Sequence, residues 1–124
     1  MLALVYAALA LNVVRLRRQN RAAFGDAGNP ALRSAIRAHG HFAEYVPITA
    51  LMVAFLEASG TSALRVHLLM GALVLARLLH PLGMYAAPNT IRFRIGRIGG
   101  VTITIALLVT SALSILARLA SPNN

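Results

Sequence analysis

The chain has 124 residues, of which 58% are hydrophobic and only 12% charged, against roughly 45–50% apolar and about 25% charged in ordinary soluble domains. Its net charge is +9, all 12 basic residues are arginine, and cysteine is absent. Together with a mean hydropathy of +0.71, this disfavours a soluble domain and excludes disulfides, thiolate metal sites and a protein-borne sulfur nucleophile. It favours a polytopic all-α membrane protein.

The first apolar segment, MLALVYAALALNVV at residues 1–14, would rise only about 21 Å at 1.5 Å per residue. A bilayer core is about 30 Å thick. Its helix is therefore expected to continue through Arg15–Arg18 to about residue 21, with the long side chains reaching headgroups. No basic stretch precedes this segment and no cleavage-site pattern follows it, so it is read as a retained helix rather than a signal peptide.

The second helix is expected from Pro30, with Asn29 as N-cap, to about Ser59, ending at Gly60. Pro47 lies inside it and is expected to kink it. A third helix is expected from Ser62 or Ala63 to His80–Met84, and a fourth from Arg97 to Leu119. FGDAGN and AAPNT carry the turn signals of the two longer connections, with Asp26 organising the first. The short connection at Ala58–Thr61 implies that helices two and three are antiparallel neighbours. The whole chain thus reads as one domain, with helices at about 1–21, 30–59, 62–84 and 97–119.

The arginines lie between apolar segments rather than along one polar face, so they read as membrane topology and not as nucleic-acid binding. Arg15, Arg17, Arg18, Arg21, Arg33 and Arg37 surround the first connection, and Arg92, Arg94 and Arg97 the third. Only Arg65 and Arg118 fall on the other side. The positive-inside rule makes both long connections cytoplasmic and leaves both termini on the non-cytoplasmic side.

A polar set crosses this topology. On helix two, Arg37, His41, Glu44, Tyr45 and Thr49 are spaced to share a face, which Arg33 extends toward the cytoplasm. On helix three, Arg77 and His80 share a face, with Met84 one turn onward and Tyr85 beside it. An ionised side chain facing lipid is costly, so Glu44 is expected to pair with Arg77. Such a set, rich in guanidinium donors and holding one carboxylate, suits a small polar anion that also carries an amine. His39 and His41 are two residues apart and point to different sides of the helix, so no metal site is assigned. Ala7, Ala8, Ala10, Gly71 and Gly99–Gly100 are read as close-packing positions.

The segments VVRLRRQNRAAFGDAGNPALRSAIRAHGHFAEYVPI and ARLLHPLG resemble the membrane-associated proteins in eicosanoid and glutathione metabolism (MAPEG), in particular the small bacterial branch of that family. The family pattern on helix two is an arginine, an asparagine four residues later and Glu-Tyr three further on. Here Arg37, Glu44 and Tyr45 match, while His41 stands where asparagine is usual.

The resemblance implies a four-helix transmembrane protomer assembled as a homotrimer in the bacterial inner membrane. Glutathione, as co-substrate, would bind between neighbouring protomers near the cytoplasmic side. The binding positions it implies are Arg18, Arg37, His41, Glu44, Tyr45, Arg77 and His80, with Tyr85 one residue beyond a family tyrosine position. A helix-four arginine would stabilise the glutathione thiolate. Arg94 and Arg97 are the candidates, with Arg92 a third, and Arg97 is favoured because it directly precedes IGGVTIT at the start of the helix.

The implied activity is glutathione transfer to a lipophilic electrophile, or glutathione-dependent reduction of a lipid hydroperoxide, with the apolar substrate entering from the membrane lipids. The alternative is a non-catalytic MAPEG-fold protein that binds a lipid or another small anion. No nucleic-acid partner is expected.

Overall fold

The computed structural model describes residues 1–87 and 89–120, and the described residues are helical or in short turns, with no strand. Four helices follow one another: α1 (Leu2–Gln19), α2 (Pro30–Ala58), α3 (Ala63–Met84) and α4 (Ile91–Ala120). The terminal tail at 121–124 and residue 88, inside AAPNT, lie outside the described residues.

Local chemistry sets the ends of α2. The Asn29 side chain accepts hydrogen bonds from the backbone N–H groups of Ala31 (2.9 Å) and Leu32 (3.0 Å), and Pro30 opens the first turn. Two donors with no partner inside the helix are thereby satisfied. At the other end Gly60 adopts φ +83°. Its N–H donates to Glu57 O, and that of Thr61 to Leu56 O, both at 3.0 Å. This paired closure needs a left-handed residue, which glycine supplies without strain.

Before α2, the Asp26 carboxylate accepts from the Gly28 N–H at 3.0 Å and pairs with Arg33. Asn29 also donates to the Asn20 side chain at 2.8 Å, tying the end of α1 to the start of α2. Asp26 therefore organises this turn. The hydrogen bond from Arg33 and then that from Gly28 hold its carboxyl below the usual carboxylate range, outweighing the opposing effect of desolvation.

α2 and α3 occupy the middle of the bundle. α1 packs on α2 and touches α3, while α4 packs on α3 and α2; α1 and α4 do not meet among the described residues. The buried stripe of α2 runs Leu32, Ala35, Ala38, Phe42, Val46, Thr49, Val53 and Leu56, at the three- and four-residue spacing of one helix face. Leu9, Ala38, Phe42 and Val46 form a core at the α1–α2 seam, with Leu2, Val5 and Met84 packed against it.

α3 and α4 are each long and apolar enough to cross a membrane. α1 carries Arg15, Arg17 and Arg18 within its length, and Glu44 and Glu57 interrupt the apolar run of α2. These ionised groups weaken the hydropathy signal of the first two helices.

The fourth helix begins six residues earlier than its apolar pattern implies, at Ile91 rather than Arg97. Thr90 caps it by accepting from the Phe93 N–H at 3.2 Å. The segment Arg94–Gly99 is π-helical and passes into α-helix at Gly100. The early start has a packing cause. Gly83 on α3 and Gly96 on α4 meet backbone to backbone, and a Cβ on Gly96 would lie 2.5 Å from Gly83 N and 2.8 Å from Leu79 O. One turn on, a Cβ on Gly100 would lie 2.9 Å from Ala76 O.

Gly100 thus packs closely, as its sequence context suggests. Gly71 and Gly99 do not, because a Cβ on either meets nothing within 4 Å. The Gly83–Gly96 contact was not anticipated, although the small-xxx-small spacing of Gly96 and Gly100 carries the signal for it.

Candidate functional site

The polar residues of α2 divide into three layers. Thr49 is fully buried and its hydroxyl donates to Tyr45 O at 2.8 Å. His41 and Tyr45 are half-buried on the flank, with stacked rings 6.0 Å apart. Arg37 and Glu44 are exposed on the outer face. The single polar face expected from spacing is therefore spread around the helix. Each four-residue step at 3.6 residues per turn drifts about 40°, and the drift carries Thr49 into the core while leaving Arg37 and Glu44 outside.

Arg77 does not pair with Glu44. It is 1% exposed, and its guanidinium donates to Gly100 O (3.1 Å), to the Thr104 hydroxyl and to His41 O (3.5 Å). Thr104 in turn donates to Gly100 O at 2.8 Å. Arg77 thus ties α3 to α2 and α4 through neutral oxygens. The only ion pair among the described residues is Arg33–Asp26, so Glu44 keeps a free carboxylate. Beneath it Gly40 leaves room, since a Cβ there would lie 3.8 Å from Glu44 Oε1.

His80 sits one turn from Arg77 and is 2% exposed. Its ring meets that of His41 edge-on, with centroids 5.2 Å apart. Neither His80 ring nitrogen has a hydrogen-bond partner among the described residues, and neither does His41 Nδ1. Buried polar atoms are nearly always satisfied by protein, water or ligand. With Arg77 Nε, also unpartnered, four orphaned nitrogens on α2 and α3 therefore mark a point where these helices offer hydrogen bonds to something else.

The three arginines in the opening turns of α4 are exposed and face different surroundings. The Arg97 guanidinium stacks on the Phe93 ring, 5.3 Å from its centroid, a cation–π contact. The Arg97 backbone N–H lies against Gly83 of α3, one turn along from His80. Arg92 lines a groove with Leu79 and Leu82, and Arg94 lines another with Ile98 and Gly99. Arg94 and Arg97, three and six residues beyond Ile91, lie within the π-helical segment, which widens the helix locally.

The remaining candidates lie apart from this group. Tyr85 accepts a hydrogen bond from Asn12 Nδ2 at 2.9 Å, and Arg15 donates to Asn12 Oδ1 at 3.1 Å. Asn12 was not singled out from the sequence, since a lone asparagine in an apolar helix has no motif around it. Arg18 is exposed at the end of α1. Tyr6 packs on His39 and Phe42, with centroid distances of 4.8 and 5.8 Å, so His39 faces α1, away from His41. Within one protomer, then, His41, Tyr45, Arg77 and His80 come together, Arg97 lies on the α4 turn packed against Gly83, Arg37 and Glu44 flank His41 on the exposed side of α2, and Arg18, Arg94 and Tyr85 lie elsewhere.

Comparison with known proteins bears on the same residues. A model of the MAPEG family matches residues 1–113, nearly the whole chain. The chain is 41% identical over 83 residues to "Inner membrane protein YecN" of Escherichia coli strain K12, and equally to the protein of that name in strain O6:H1. Each alignment covers 67% of this chain and 63% of the relative's length. No solved structure matches.

Proposed function

The chain belongs to the MAPEG family and is an integral membrane protein, and from that premise we propose that it is a glutathione-dependent transferase or peroxidase of the bacterial inner membrane, acting on lipophilic electrophiles or lipid hydroperoxides. In this reading all four helices span the bilayer, both termini face away from the cytoplasm, and three copies form the active assembly. The relatives' inner-membrane name supports the location, and the arginine asymmetry supports the orientation.

The observation that carries the proposal is the exposed Arg97 on the turn of α4 packed against Gly83, one turn along α3 from His80, whose ring nitrogens, like Nδ1 of His41, are unpartnered. These groups suit a peptide-like anion: the imidazoles can exchange hydrogen bonds with its amides and carboxylates, while Arg97 faces its thiol. A nearby guanidinium favours the ionised thiol, which is the nucleophile. Attack on an electrophilic carbon expels the leaving group or adds across a polarised double bond. Attack on a hydroperoxide forms an S–O bond as the O–O bond breaks, releasing the alcohol once protonated; a second glutathione thiol then displaces water from the sulfenic acid to give the disulfide.

Arg37 and Glu44 enter this reading from a neighbouring protomer. Both are exposed on one face of α2, where Arg37 can hold a carboxylate and Glu44 an ammonium group. Arg77 contributes chiefly by position, since Nη1 and Nη2 donate to His41, Gly100 and Thr104 and only Nε is unpartnered; it fixes the helices that carry His41, His80 and Arg97. Arg97 is preferred to Arg94 because Arg94 faces a separate groove.

Arg97→Ala tests the assignment. Removing a preorganised donor from a developing anion typically lowers kcat by about 10²–10³-fold. The expected outcome is a loss of that order in glutathione-dependent turnover, partly restored by Arg97→Lys, with the KM for glutathione changed only a few-fold. Wild-type protein without turnover of model electrophiles or hydroperoxides would contradict the enzymatic reading. The burial of Arg77 among structural partners favours the second reading, a non-catalytic MAPEG-fold protein holding a lipid or small anion, because it leaves one fewer cation for a ligand. In that case Arg97→Ala and Arg94→Ala leave ligand binding unchanged.

A further inference from the structure

The outer surface where α4 leaves α3 carries two adjoining grooves. One, of about 300 Å³, is lined by Leu79, Leu82, Ile91, Arg92, Ile95 and Gly96. The other, of about 460 Å³, is lined by Ile91, Arg94, Ile95, Ile98 and Gly99. Ile91 and Ile95 belong to both and are 74% and 55% exposed, so they form the ridge between them, as residues four apart on a helix do.

At the first groove Gly96 lets α4 lie directly against Gly83 and Leu79 of α3, and at the second the space above Gly99 is empty for at least 4 Å. Each groove has one arginine at its wall. Neither Arg92 nor Arg94 makes a hydrogen bond or ion pair among the described residues, and no acidic side chain lines either groove.

A ligand complementary to this surface needs two apolar chains to straddle the ridge and an anionic group to meet the arginines. We propose that the twin grooves bind a diacyl phospholipid with an anionic headgroup, its chains lying on either side of Ile91 and Ile95 and its phosphate held by Arg92 and Arg94. The charge complementarity decides the class, because a zwitterionic lipid brings its own cation against two guanidinium groups already lacking a partner. The position agrees: the arginines stand in the opening turns of α4, at the cytoplasmic surface in the orientation given above. The cytoplasmic leaflet is the anionic one, and basic pockets between helices on that side hold anionic headgroups. The site is distinct from the Arg97–His80 group and does not depend on glutathione chemistry.

Native mass spectrometry of the full chain, incubated with dioleoyl phosphatidylglycerol or dioleoyl phosphatidylcholine, tests it. Phosphatidylglycerol is expected to be retained in preference, and raised salt during incubation should weaken its retention but not that of phosphatidylcholine. A basic residue near an anionic surface contributes about fivefold in affinity, so Arg92→Ala with Arg94→Ala should reduce phosphatidylglycerol retention on the order of 25-fold. Leu82→Trp, which fills the first groove and leaves both arginines, should also reduce it. Equal retention of the two lipids by the wild type overturns the proposal, as does a salt-insensitive preference. So does displacement of the lipid by glycerol phosphate at equal concentration, which would reveal an anion site without grooves. The lipid comparison and the salt series use only wild-type protein, so the outcome is decided even where a variant does not fold.

Discussion

Burying a guanidinium is costly unless its donors find oxygen, and Arg77 finds it for Nη1 and Nη2 in His41, Gly100 and Thr104, leaving Nε unpartnered. The arrangement explains why Glu44 is free: the cation that spacing assigned to it is already occupied by backbone and hydroxyl oxygens one layer deeper. Pairing by charge alone is readable from sequence, whereas the depth of each partner is set by helix rotation and packing. The carboxylate that does pair is Asp26, in the connection before α2. Its carboxyl is held below its ordinary value by Arg33 and by the Gly28 N–H. A depressed pKa contributes stability that is present above the unfolded value of about 3.9 and is lost as pH falls through the folded one. Amide hydrogen exchange at Gly28 and in the first turn of α2 should therefore quicken on acidification below about pH 4, after correction for the intrinsic rate. Asp26→Asn should show quicker exchange already at neutral pH and no such step. An identical step in the variant would contradict the assignment.

Among the elements, α4 departs most from its pattern. The boundaries of α2 are legible because Asn29, Pro30 and Gly60 are chemical stop and start signals. The start of α4 is not, because the arginines in IRFRIGRIGG interrupt the apolar run that marks a span, and a π-helical turn has no sequence periodicity of its own. What holds the early turns of α4 in helix is the glycine contact with α3. In Gly83→Ala the new Cβ would lie 2.6 Å from Gly96 C, so the backbones must separate, at a cost of about 1–3 kcal/mol. A lower Tm in detergent is expected, together with a displaced Arg97, whose backbone borders the same contact. Gly71→Ala is the control: nothing lies within 4 Å of its Cβ, and the gain in helix propensity, about 1 kcal/mol, should leave Tm equal or higher. Equal Tm losses in the two variants would contradict the close approach.

For the molecule as a whole, the outer face of α2 is the feature that calls for a second copy. It presents Arg37 and Glu44 and, further along, Ile48, Leu51 and Phe55 at 44–53% exposure. A lone carboxylate facing lipid costs several kcal/mol, and a neighbouring protomer together with a bound ammonium group removes that cost in the proposed trimer. The family and the all-helical fold could be read from the sequence, as could the residues His41, Tyr45, Arg77 and His80 that lie together in one protomer. Which of them face a ligand and which hold helices together could not, because both roles use the same side chains at the same spacing. The most direct test of the glutathione reading is a titration of the purified assembly with glutathione below pH 8, followed by calorimetry and by the ultraviolet absorbance of the thiolate. The free thiol, with a pKa of about 8.5, is mostly protonated there. The account expects saturable heat accompanied by a rise in thiolate absorbance, with the absorbance lost and the heat retained in Arg97→Ala. No heat and no absorbance change at millimolar glutathione, or an undiminished thiolate signal in Arg97→Ala, would contradict it.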